Sequence, residues 1–514
     1  MLVKSFAAAV QGISATIITI EVSSTKGIQF YLVGLPDVAV RESHERIVSA
    51  LQVNGYQFPH SRIVINMAPA DIRKEGSAYD LPLALGILAA AGQVDSTHLS
   101  EYLMMGELSL DGSLLPVKGV LPIAIKAREA GFKGFILPQQ NAREAAVVNR
   151  LEVYGVQNIR EVIEFIDGKR QLEPTVVDTR KEFYAKQEQY DCDFSDVKGQ
   201  ENVKRALEVA AAGGHNLLMV GSPGSGKSML AKRLPTILPP LTLQESLETT
   251  KIHSVAGKLT GETSLMTQRP FRSPHHTISN VAMVGGGSFP QPGEISLANN
   301  GILYLDELPE FNRSVLEVMR QPLEDRVIHI SRARFSVEYP AGFMLVASMN
   351  PCPCGYYNHP ERPCLCPPGA VQRYMNRISG PLLDRIDIQV EIVPVPFEKL
   401  ADQQPGETSA AIRERVIRAR QIQLNRYANY PGIYCNAQMN SQLLRLYAQP
   451  DSACLTLLKT AMQRLSLSAR AYDRILKVAR TIADLEGAEQ IAPHHLSEAI
   501  QYRNLDRENW GMRP

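Results

Sequence analysis

The chain has 514 residues, of which 44% are hydrophobic and 21% charged. At about 150 residues per domain, this length predicts roughly three domains, each able to bury a core. Lysine and arginine total 54 against 53 aspartate and glutamate, so the net charge of +1 gives no general support for nucleic-acid binding, and any such surface must be local. No apolar run reaches the ~18 residues of a membrane span, and the N-terminus does not read as a signal peptide, so we expect a cytoplasmic protein with no membrane partner.

Composition shifts divide the chain into four predicted parts. Residues 1–170 alternate short strand and helix patterns, and residues 171–196 are charged and aperiodic, as in a linker. Residues 197–396 have the alternation of an α/β nucleotide-binding core. Residues 397–514 are predicted to be helical, since apolar residues recur there at spacings of three and four.

The core opens on a phosphate-binding motif. A strand-like apolar run is followed by G-x-x-x-x-G-K-S and then by a helix-like segment. A loop with this spacing points backbone N–H groups at phosphate oxygens, its lysine adds a charge over the β/γ-phosphates, and its serine hydroxyl is a Mg²⁺ ligand. The flanking strand and helix favour this reading over a glycine-rich turn. The predicted ATP-binding residues are Gly221, Ser222, Pro223, Gly224, Ser225, Gly226, Lys227 and Ser228.

Two further buried-strand patterns end in polar residues. One is GILYLDEL, ending in Asp306 and Glu307, and the other is FMLVASMN, ending in Asn350. We expect Asp306 to hold Mg²⁺ together with Ser228, Glu307 to orient an attacking water, and Asn350 to bond the γ-phosphate or that water. Taken singly, the acidic pair also suits a helix start and Asn350 a turn, but their order after the phosphate loop favours catalysis.

Long segments of the chain resemble AAA+ ATPases, and within them the magnesium-chelatase-like YifB/ComM family. The resemblance covers essentially the full chain. The segments that carry it are VKGQENVKRALEVAAAGGHNLLMVGSPGSGKS (197–228), FRSPHHTIS (271–279), PGEISLANNGILYLDELPEF (292–311), SMNPCPCG (348–355) and GPLLDRIDIQVEIV (380–393).

The resemblance implies a role for each catalytic residue. Lys227 and Ser228 are the Walker A pair, Asp306 and Glu307 the Walker B pair, and Asn350 sensor 1. Arg385 falls at the arginine-finger position and Arg470 at sensor 2, with Arg474 a rival. A guanidinium is always charged and matches phosphate oxygens, so it suits charge that develops in the transition state. The alternative for Arg385 is an ion pair with Asp384 or Asp387.

The resemblance also implies the fold class. It predicts an AAA+ P-loop α/β core with a helix-2 insert and a presensor-1 hairpin, followed by a helical lid of the magnesium-chelatase C-terminal type. The N-terminal region resembles a Lon-protease-like α+β domain (S5 domain 2-like), here with Ala78 and Leu121 at the positions of the catalytic serine and lysine. Without a hydroxyl and an amine at those positions we expect no protease activity, although a shifted alignment would use Ser77 and Lys118.

Four of the seven cysteines cluster directly after the Asn350 strand. They form two C-x-C pairs within the loop 352–366, which has few residues for a core of its own. Four thiolates at this density suit a tetrahedral Zn²⁺, while free thiols are the alternative, and His359 is a possible substitute ligand. The candidate zinc ligands are Cys352, Cys354, Cys364 and Cys366.

Two segments are candidates for contact with DNA. The segment FRSPHHTISNVAMVGGGSFPQPGE resembles the helix-2 insert, and RVIHISRARFSVEYP resembles the presensor-1 hairpin, which faces the pore of the ring in that clade. Arg332 and Arg334 at its turn are predicted to grip phosphates. A solvated hairpin end without a ligand is the alternative.

The sequence therefore predicts an ATP- and Mg²⁺-dependent AAA+ hexamer that translocates on single-stranded or branched DNA. The family resemblance implies a helicase that drives branch migration during natural transformation and homologous recombination. Two other classes stay open: a chelatase-type motor that remodels a partner protein, and a Lon-like ATP-dependent protease.

Overall fold

A computed structural model describes residues 2–187, 190–261, 263–287, 290–332, 335–395, 406–465 and 467–503. The chain forms two compact units, Met1–Lys186 with Leu243–Thr267, and Gln187–Thr242 with Gln268–Pro514. The first unit thus includes a segment that lies between the phosphate loop and Asp306 in sequence. The four-part division drawn from composition stays a prediction.

The strands are distributed over both units. In chain order they are β1 Leu2–Gln11, β2 Ser14–Thr25, β3 Phe30–Val33, β4 Arg62–Ala68, β5 Tyr102–Met104, β6 Glu107–Leu108, β7 Leu114–Leu115, β8 Gly134–Pro138, β9 Glu152–Val156, β10 Leu217–Gly221, β11 Phe271–Arg272, β12 Gly285–Gly286, β13 Gln291–Pro292, β14 Ile302–Leu305, β15 Val327–Arg332, β16 Phe335–Pro340, β17 Met344–Met349 and β18 Ile388–Ile392.

The α-helices dominate the C-terminal part of the chain. In order they are α1 Val38–Arg41, α2 Ser43–Val53, α3 Asp80–Ala90, α4 Val120–Glu129, α5 Ala142–Ala145, α6 Ile159–Ile166, α7 Thr179–Lys186, α8 Glu201–Gly213, α9 Lys227–Arg233, α10 Leu243–Val255, α11 Asn280–Val284, α12 Glu294–Leu297, α13 Arg313–Val318, α14 Arg320–Asp325, α15 Ala370–Met375, α16 Gly380–Leu383, α17 Ser409–Arg426, α18 Ser441–Tyr447, α19 Ser452–Arg464, α20 Ala469–Glu486 and α21 Pro493–Gln501.

The first unit is built on a seven-stranded mixed sheet with the order β3-β4-β2-β1-β5-β8-β9. Every residue of α3 is buried, because this apolar helix packs across β1 and β2. Helix α10 packs against α4. The predicted linker 171–196 contains α7, and the amide of Thr175 donates to the Val153 carbonyl of edge strand β9 at 2.7 Å.

The second unit contains a five-stranded sheet in the order β11-β14-β17-β10-β18, and all neighbouring strands are parallel. Strands β10, β14 and β17 are buried along their whole length, as apolar strands covered on both faces must be. The three buried strands predicted around the phosphate loop, the acidic pair and Asn350 are confirmed, as is the mixed α/β class with parallel strands.

The C-terminal helices share one apolar core with this sheet. Helices α17 and α20, both predicted from apolar periodicity, are confirmed and pack against α8. Ser468 accepts a hydrogen bond from the Ala471 amide at 3.2 Å and so caps α20, which ends at Gly487 with φ +72°. In the described part of the chain, no helix combines the length and apolar character that a bilayer crossing requires.

Candidate active site

The phosphate-loop motif forms the turn between β10 and α9. Gly224 and Gly226 adopt φ values of +78° and +90°, a region that glycine enters without steric cost. Lys227 Nζ donates to the carbonyl oxygens of Gly221 at 2.7 Å and Ser222 at 2.9 Å. Burial lowers the pKa of Lys227, while Asp306 and Glu307 act to raise it. The ammonium is therefore held inside the loop, with carboxylates nearby.

The loop and the two predicted catalytic strands meet at one edge of the sheet. Lys227 Nζ also donates to Asn350 Oδ1 at 3.2 Å, and Ser228 Oγ donates to Asp306 Oδ2 at 2.9 Å. These contacts follow from the topology, because β10, β14 and β17 are parallel and their carboxyl ends lie side by side. The residues that the sequence predicted separately thus come together.

Two residues that the motif analysis missed complete this edge. Ser348 Oγ donates to Asp306 Oδ1. The Tyr304 hydroxyl lies 3.0 Å from Ser348 Oγ and 3.2 Å from Ser228 Oγ. Although burial acts to raise the pKa of Asp306, the hydrogen bonds from Ser348, Ser228 and Tyr304 lower it, so the group is a carboxylate at neutral pH. Strand alternation offered a signal, since Tyr304 precedes Asp306 by two residues and Ser348 precedes Asn350 by two.

A cleft of about 560 Å³ opens beside this network. Glu307 reaches it from an exposed position with φ +55°, which is uncommon for a residue with a side chain and is typical of functional sites. The residues that line the cleft are Glu307, Glu310, Asn350, Pro353, Ala370, Arg373, Tyr374 and Arg377. Arg373 and Arg377 were not singled out from the sequence, and Arg377 pairs with Glu310 at 2.9 Å.

The donor set fits a magnesium nucleotide. Ser225 Oγ, in the phosphate loop, is buried and has no hydrogen-bond partner among the described residues. An orphaned hydroxyl at this position suits a phosphate oxygen. The Ser228 hydroxyl and the Asp306 carboxylate are the hard oxygen ligands that Mg²⁺ prefers.

The predicted arginine finger lies against its own chain. Arg385 pairs with Glu324 at 2.6 Å, not with Asp384 or Asp387, and only 8% of its side chain is exposed. Its Nε atom is buried and has no hydrogen-bond partner within the described ranges. A reach into a neighbouring chain therefore requires Arg385 to exchange Glu324 for another acceptor.

The two rival sensor 2 residues differ in their surroundings. Arg470 is 61% exposed and only loosely paired, with its Nη1 atom 3.8 Å from Asp384. Arg474 is mostly buried and bonds Asp387 at 2.9 Å. Exposure leaves Arg470 free to meet a ligand, whereas Arg474 is committed to a structural contact.

Asp387 belongs to a buried polar cluster at the amino ends of the strands, which we call the hub (His215, Asn216, Asp387, Arg474 and Thr481). His215 is fully buried, with Nδ1 3.3 Å from Asp387 and Nε2 2.8 Å from Thr481. Although burial acts to raise the pKa of Asp387, Arg474 and His215 hold it well below the usual range. Burial lowers the pKa of His215. The hub ties α20 to the strands that carry the cleft.

The four clustered cysteines form a compact group. Their sulfur atoms all lie within 4.8 Å of one another. Cys352 Sγ is 3.3 Å from Cys354 and 3.8 Å from Cys364, and the latter two are 3.6 Å apart. The alternative ligand His359 is engaged elsewhere, because its Nδ1 accepts hydrogen bonds from the amides of Glu361 and Arg362.

The DNA candidates are only partly described. Strands β15 and β16 form an antiparallel hairpin, but Arg334 and the side chain of Arg332 lie outside the described residues. In the insert, Gly285–Gly286 pairs with Gln291–Pro292, while positions 288 and 289 at its tip also lie outside them.

The alternative protease dyad is not assembled by any described contact. Ser77 Oγ donates to Glu107, and the Lys118 side chain lies beside Gly257, where an added Cβ atom would come within 2.8 Å of its Cε. Leu121, at the expected lysine position, is fully buried. The geometry thus gives the Ser77–Lys118 reading no support.

Three known protein-family models match successive segments of the chain. Family models described as "Subunit ChlI of Mg-chelatase", "Magnesium chelatase, subunit ChlI" and "Magnesium chelatase, subunit ChlI C-terminal" match residues 20–141, 193–400 and 406–503. The chain is 44% identical over 509 residues to Competence protein ComM of Haemophilus influenzae, covering 98% of this chain and 97% of the relative. The chain belongs to the magnesium-chelatase-like ComM/YifB family. Membership of this family indicates an AAA+-type ATPase.

Other relatives are similar to different extents. YifB of Escherichia coli is 44% identical over 503 residues, which cover 96% of both chains. A Mycobacterium tuberculosis protein is 40% identical over 506 residues, covering 97% of this chain and 98% of its own. The magnesium-chelatase 67 kDa subunit of Heliobacterium mobile is 27% identical over 191 residues, only 32% of this chain and 28% of the relative.

The hub predicts that substitutions of two nearby aspartates, Asp387 and Asp384, differ in their cost to local stability. Asp387→Ala leaves His215 and Arg474 buried without their carboxylate, so the opening free energy of β10 and β18 should fall by about 3–5 kcal/mol. Asp384→Ala removes a half-exposed pair and should cost less than about 1 kcal/mol. Hydrogen exchange of peptides that cover these strands measures both.

The direction of the pH dependence follows from the lowered native pKa of Asp387. Its contribution is fully present above the unfolded carboxyl pKa of about 3.9 and is lost as pH falls through the native value. The difference in opening free energy between Asp387→Ala and Asp384→Ala should therefore persist at pH 7. Equal protection of the two variants at that pH would contradict the structural importance of the hub.

Proposed function

We propose that the protein is an ATP-hydrolysing DNA motor that works as a hexameric ring in the cytoplasm. Its proposed task is helicase-driven branch migration during natural transformation and homologous recombination. The observation that carries the ATPase part is the meeting of Lys227, Ser228, Asp306 and Asn350 at one sheet edge, beside the cleft that Glu307 enters. The similarity to ComM supports the competence role.

Each residue at this edge has a proposed part in phosphoryl transfer. The amides of the phosphate loop and Lys227 bind the phosphates, while Ser228 and Asp306 are the proposed Mg²⁺ ligands. Bound Mg²⁺ supplies neutralisation of the phosphate charge. Glu307 orients the attacking water, and Asn350 holds the γ-phosphate or that water. Ser348 and Tyr304 keep Asp306 ionised and fix its direction, since both hydroxyls belong to its hydrogen-bond network.

The two arginines are proposed to act on the nucleotide of a neighbouring subunit. Arg385 and Asp384 are consecutive, and Arg470 lies 3.8 Å from Asp384, so the candidate finger and the candidate sensor 2 flank the same segment. An interface that covers this segment presents both guanidiniums together. The unpartnered Nε of Arg385 supports an additional acceptor in the assembled ring.

The remaining elements are assigned by resemblance. The β15–β16 hairpin supports the presensor-1 assignment. Residues 271–294 are assigned to the helix-2 insert, and helices α17–α21 to the lid. The first unit is proposed to be a Lon-like domain without protease activity, which binds DNA or helps to assemble the ring. Arg332 and Arg334 are the proposed phosphate contacts.

The five arginines of α17 are a second candidate for DNA contact, and a solvated helix face is the favoured reading, because each of them has a partner in its own unit. Arg415 pairs with Glu208 and Glu407, Arg426 with Asp484, and Arg418 with Glu414. Arg413 and Arg420 donate to backbone carbonyls.

A chelatase-type motor that remodels a partner protein is the second candidate. It is favoured by the chelatase family models, which match from residue 20 to residue 503 with two gaps. Stimulation of ATP hydrolysis by forked or Holliday-junction DNA separates the two, because a protein-remodelling motor has no reason to respond to DNA.

We also propose that Cys352, Cys354, Cys364 and Cys366 bind Zn²⁺. A tetrahedron of Zn–S bonds of 2.3 Å places its sulfur atoms about 3.8 Å apart. Three of the sulfur–sulfur separations, at 3.3, 3.6 and 3.8 Å, lie close to that value. No disulfide joins any of the seven cysteines.

Substitutions in the two Walker motifs should separate binding from hydrolysis. Lys227→Ala should abolish nucleotide binding, whereas Glu307→Gln should keep binding and lose turnover, because only the second leaves the phosphate loop intact. Equilibrium binding of a fluorescent ATP analogue and a steady-state ATPase assay measure the two effects. Glu414→Gln, an equivalent change on the exposed face of α17, is the control. Wild-type turnover by Glu307→Gln would refute its assignment.

Action in trans can be tested by mixing mutants. Arg385→Ala should bind ATP but lose turnover by about 10³-fold or more. Mixed with Lys227→Ala, it should regain activity, since one chain supplies an intact site and the other an intact arginine. Lys227→Ala alone at the same total concentration is the control. Absence of rescue between chains shown to exchange would argue against a finger in trans.

The hairpin arginines should affect DNA and not nucleotide. Arg332→Ala with Arg334→Ala should keep ATP binding and ring formation but reduce DNA-stimulated ATPase and unwinding. Each lost phosphate contact should flatten the slope of log affinity against log salt by about 0.7–0.9. Arg418→Ala, an exposed arginine on α17, is the matched control. Wild-type unwinding with an unchanged slope would move DNA binding to the GGGSFPQPG insert or the first unit.

A further inference from the structure

The loop that carries the four clustered cysteines (residues 352–366, the cysteine loop) lies directly against the phosphate loop. Gly355 has φ +85°, and a Cβ atom at this position would lie 2.5 Å from Cδ and 2.8 Å from Cγ of the Pro223 ring. Real Cβ atoms do not approach other atoms so closely, so only glycine fits against Pro223. The turn that follows Cys354 therefore forms a wall of the loop that is proposed to bind phosphate.

Two clefts are lined by residues of the cysteine loop together with other residues of the nucleotide site. A narrow cleft is lined by Gly221 and Ser222 together with residues 357–360 of the cysteine loop, and by residues 391–394 outside both loops. Pro353, between the first two cysteines, lines the larger cleft that Glu307 and Asn350 enter. The cysteine loop thus lines one cleft beside the phosphate loop and another beside Glu307 and Asn350.

The cysteine loop has no regular secondary structure to hold it in this position. Residues 351–369 form no helix or strand, and Cys352 is the only one of the four cysteines that is buried. Bound metal orders such a loop, because coordination replaces the apolar contacts that a core of its own would give. Loss of the metal would leave Pro223 without a fixed wall.

We infer that the four-cysteine centre is a metal-dependent brace for the phosphate loop, so that zinc occupancy sets the affinity of the protein for nucleoside triphosphate. This inference rests on the proposed ATP site. It gives the metal a function distinct from DNA binding: with zinc, the Gly355 turn is fixed and Pro223 is positioned for phosphate, and without zinc the phosphate loop loses this support.

The contact can be altered without touching a metal ligand. Gly355→Ala should retain about one Zn²⁺ per chain but bind a fluorescent ATP analogue about tenfold more weakly, because its Cβ displaces Pro223. Gly432→Ala is the matched control, since Gly432 has φ +82° but no atom within 4 Å of an added Cβ. It carries the same backbone strain without the contact and should bind ATP as wild type does. Equal affinities of the two variants would overturn the brace.

The metal dependence is tested on the full chain. Cys364→Ser, and wild-type protein stripped with a zinc-selective chelator in excess Mg²⁺, should both lose zinc by elemental analysis and bind the analogue more weakly. Added ZnCl₂ should restore the stripped protein but not the variant. Zinc-free protein with wild-type affinity, or wild-type protein isolated without zinc, would overturn the inference. If Cys364→Ser fails to fold, the stripped protein and Gly355→Ala still decide.

The outcomes also separate the brace from the motor. Zinc-dependent nucleotide binding without any DNA-stimulated hydrolysis would refute the proposed motor and leave the brace standing. DNA-stimulated hydrolysis that persists at full nucleotide affinity without zinc would refute the brace alone.

Discussion

The whole nucleotide site depends on the placement of one buried strand, β10, between β17 and β18. Asn216, just before this strand, forms hydrogen bonds near the amino ends of both neighbouring strands, β17 and β18. Its side chain donates to the Arg385 carbonyl at 3.0 Å and accepts from the Leu345 amide at 2.9 Å, and its own amide donates to Asp387 at 3.1 Å. Because the strands are fixed at their amino ends and parallel, the phosphate loop and Asn350 emerge together at the opposite edge.

This arrangement explains which parts of the site could be predicted. Lys227, the acidic pair and Asn350 each stand at the end of a contiguous motif, so local sequence reveals them. Tyr304 and Ser348 act through strand register, with Tyr304 opposite Val346 and Leu305 opposite Ala347, which a single sequence does not supply. The hub is harder still, because His215 meets partners 172 and 266 residues away.

The division of the fold shows the same limit. Segment 243–267 follows the phosphate loop in sequence, yet the Ser254 hydroxyl bonds Glu144 and its carbonyl accepts from the Gly119 amide at 3.1 Å, so the segment belongs to the first unit. Helix periodicity did not predict that this segment packs in the first unit. The helix that packs against α10 is α4, which is distant in sequence. The first unit is thus joined to the second at three chain crossings, after residues 186, 242 and 267. The backbone between the phosphate loop and Asp306 therefore passes through the first unit.

The contact of Arg385 with Glu324 does not conflict with a role in trans. Glu324 is 48% exposed and its carboxylate stays largely hydrated in the pair, whereas the Arg385 side chain is only 8% exposed. An arginine finger raises the rate of phosphoryl transfer by a factor of about 10³–10⁵, which corresponds to a barrier lower by roughly 4–7 kcal/mol. In the proposed ring, a phosphate of a neighbouring nucleotide replaces Glu324 as the anionic partner of Arg385, so the guanidinium stays paired. Within the isolated chain, Glu324 compensates a guanidinium that would otherwise be buried as an isolated charge.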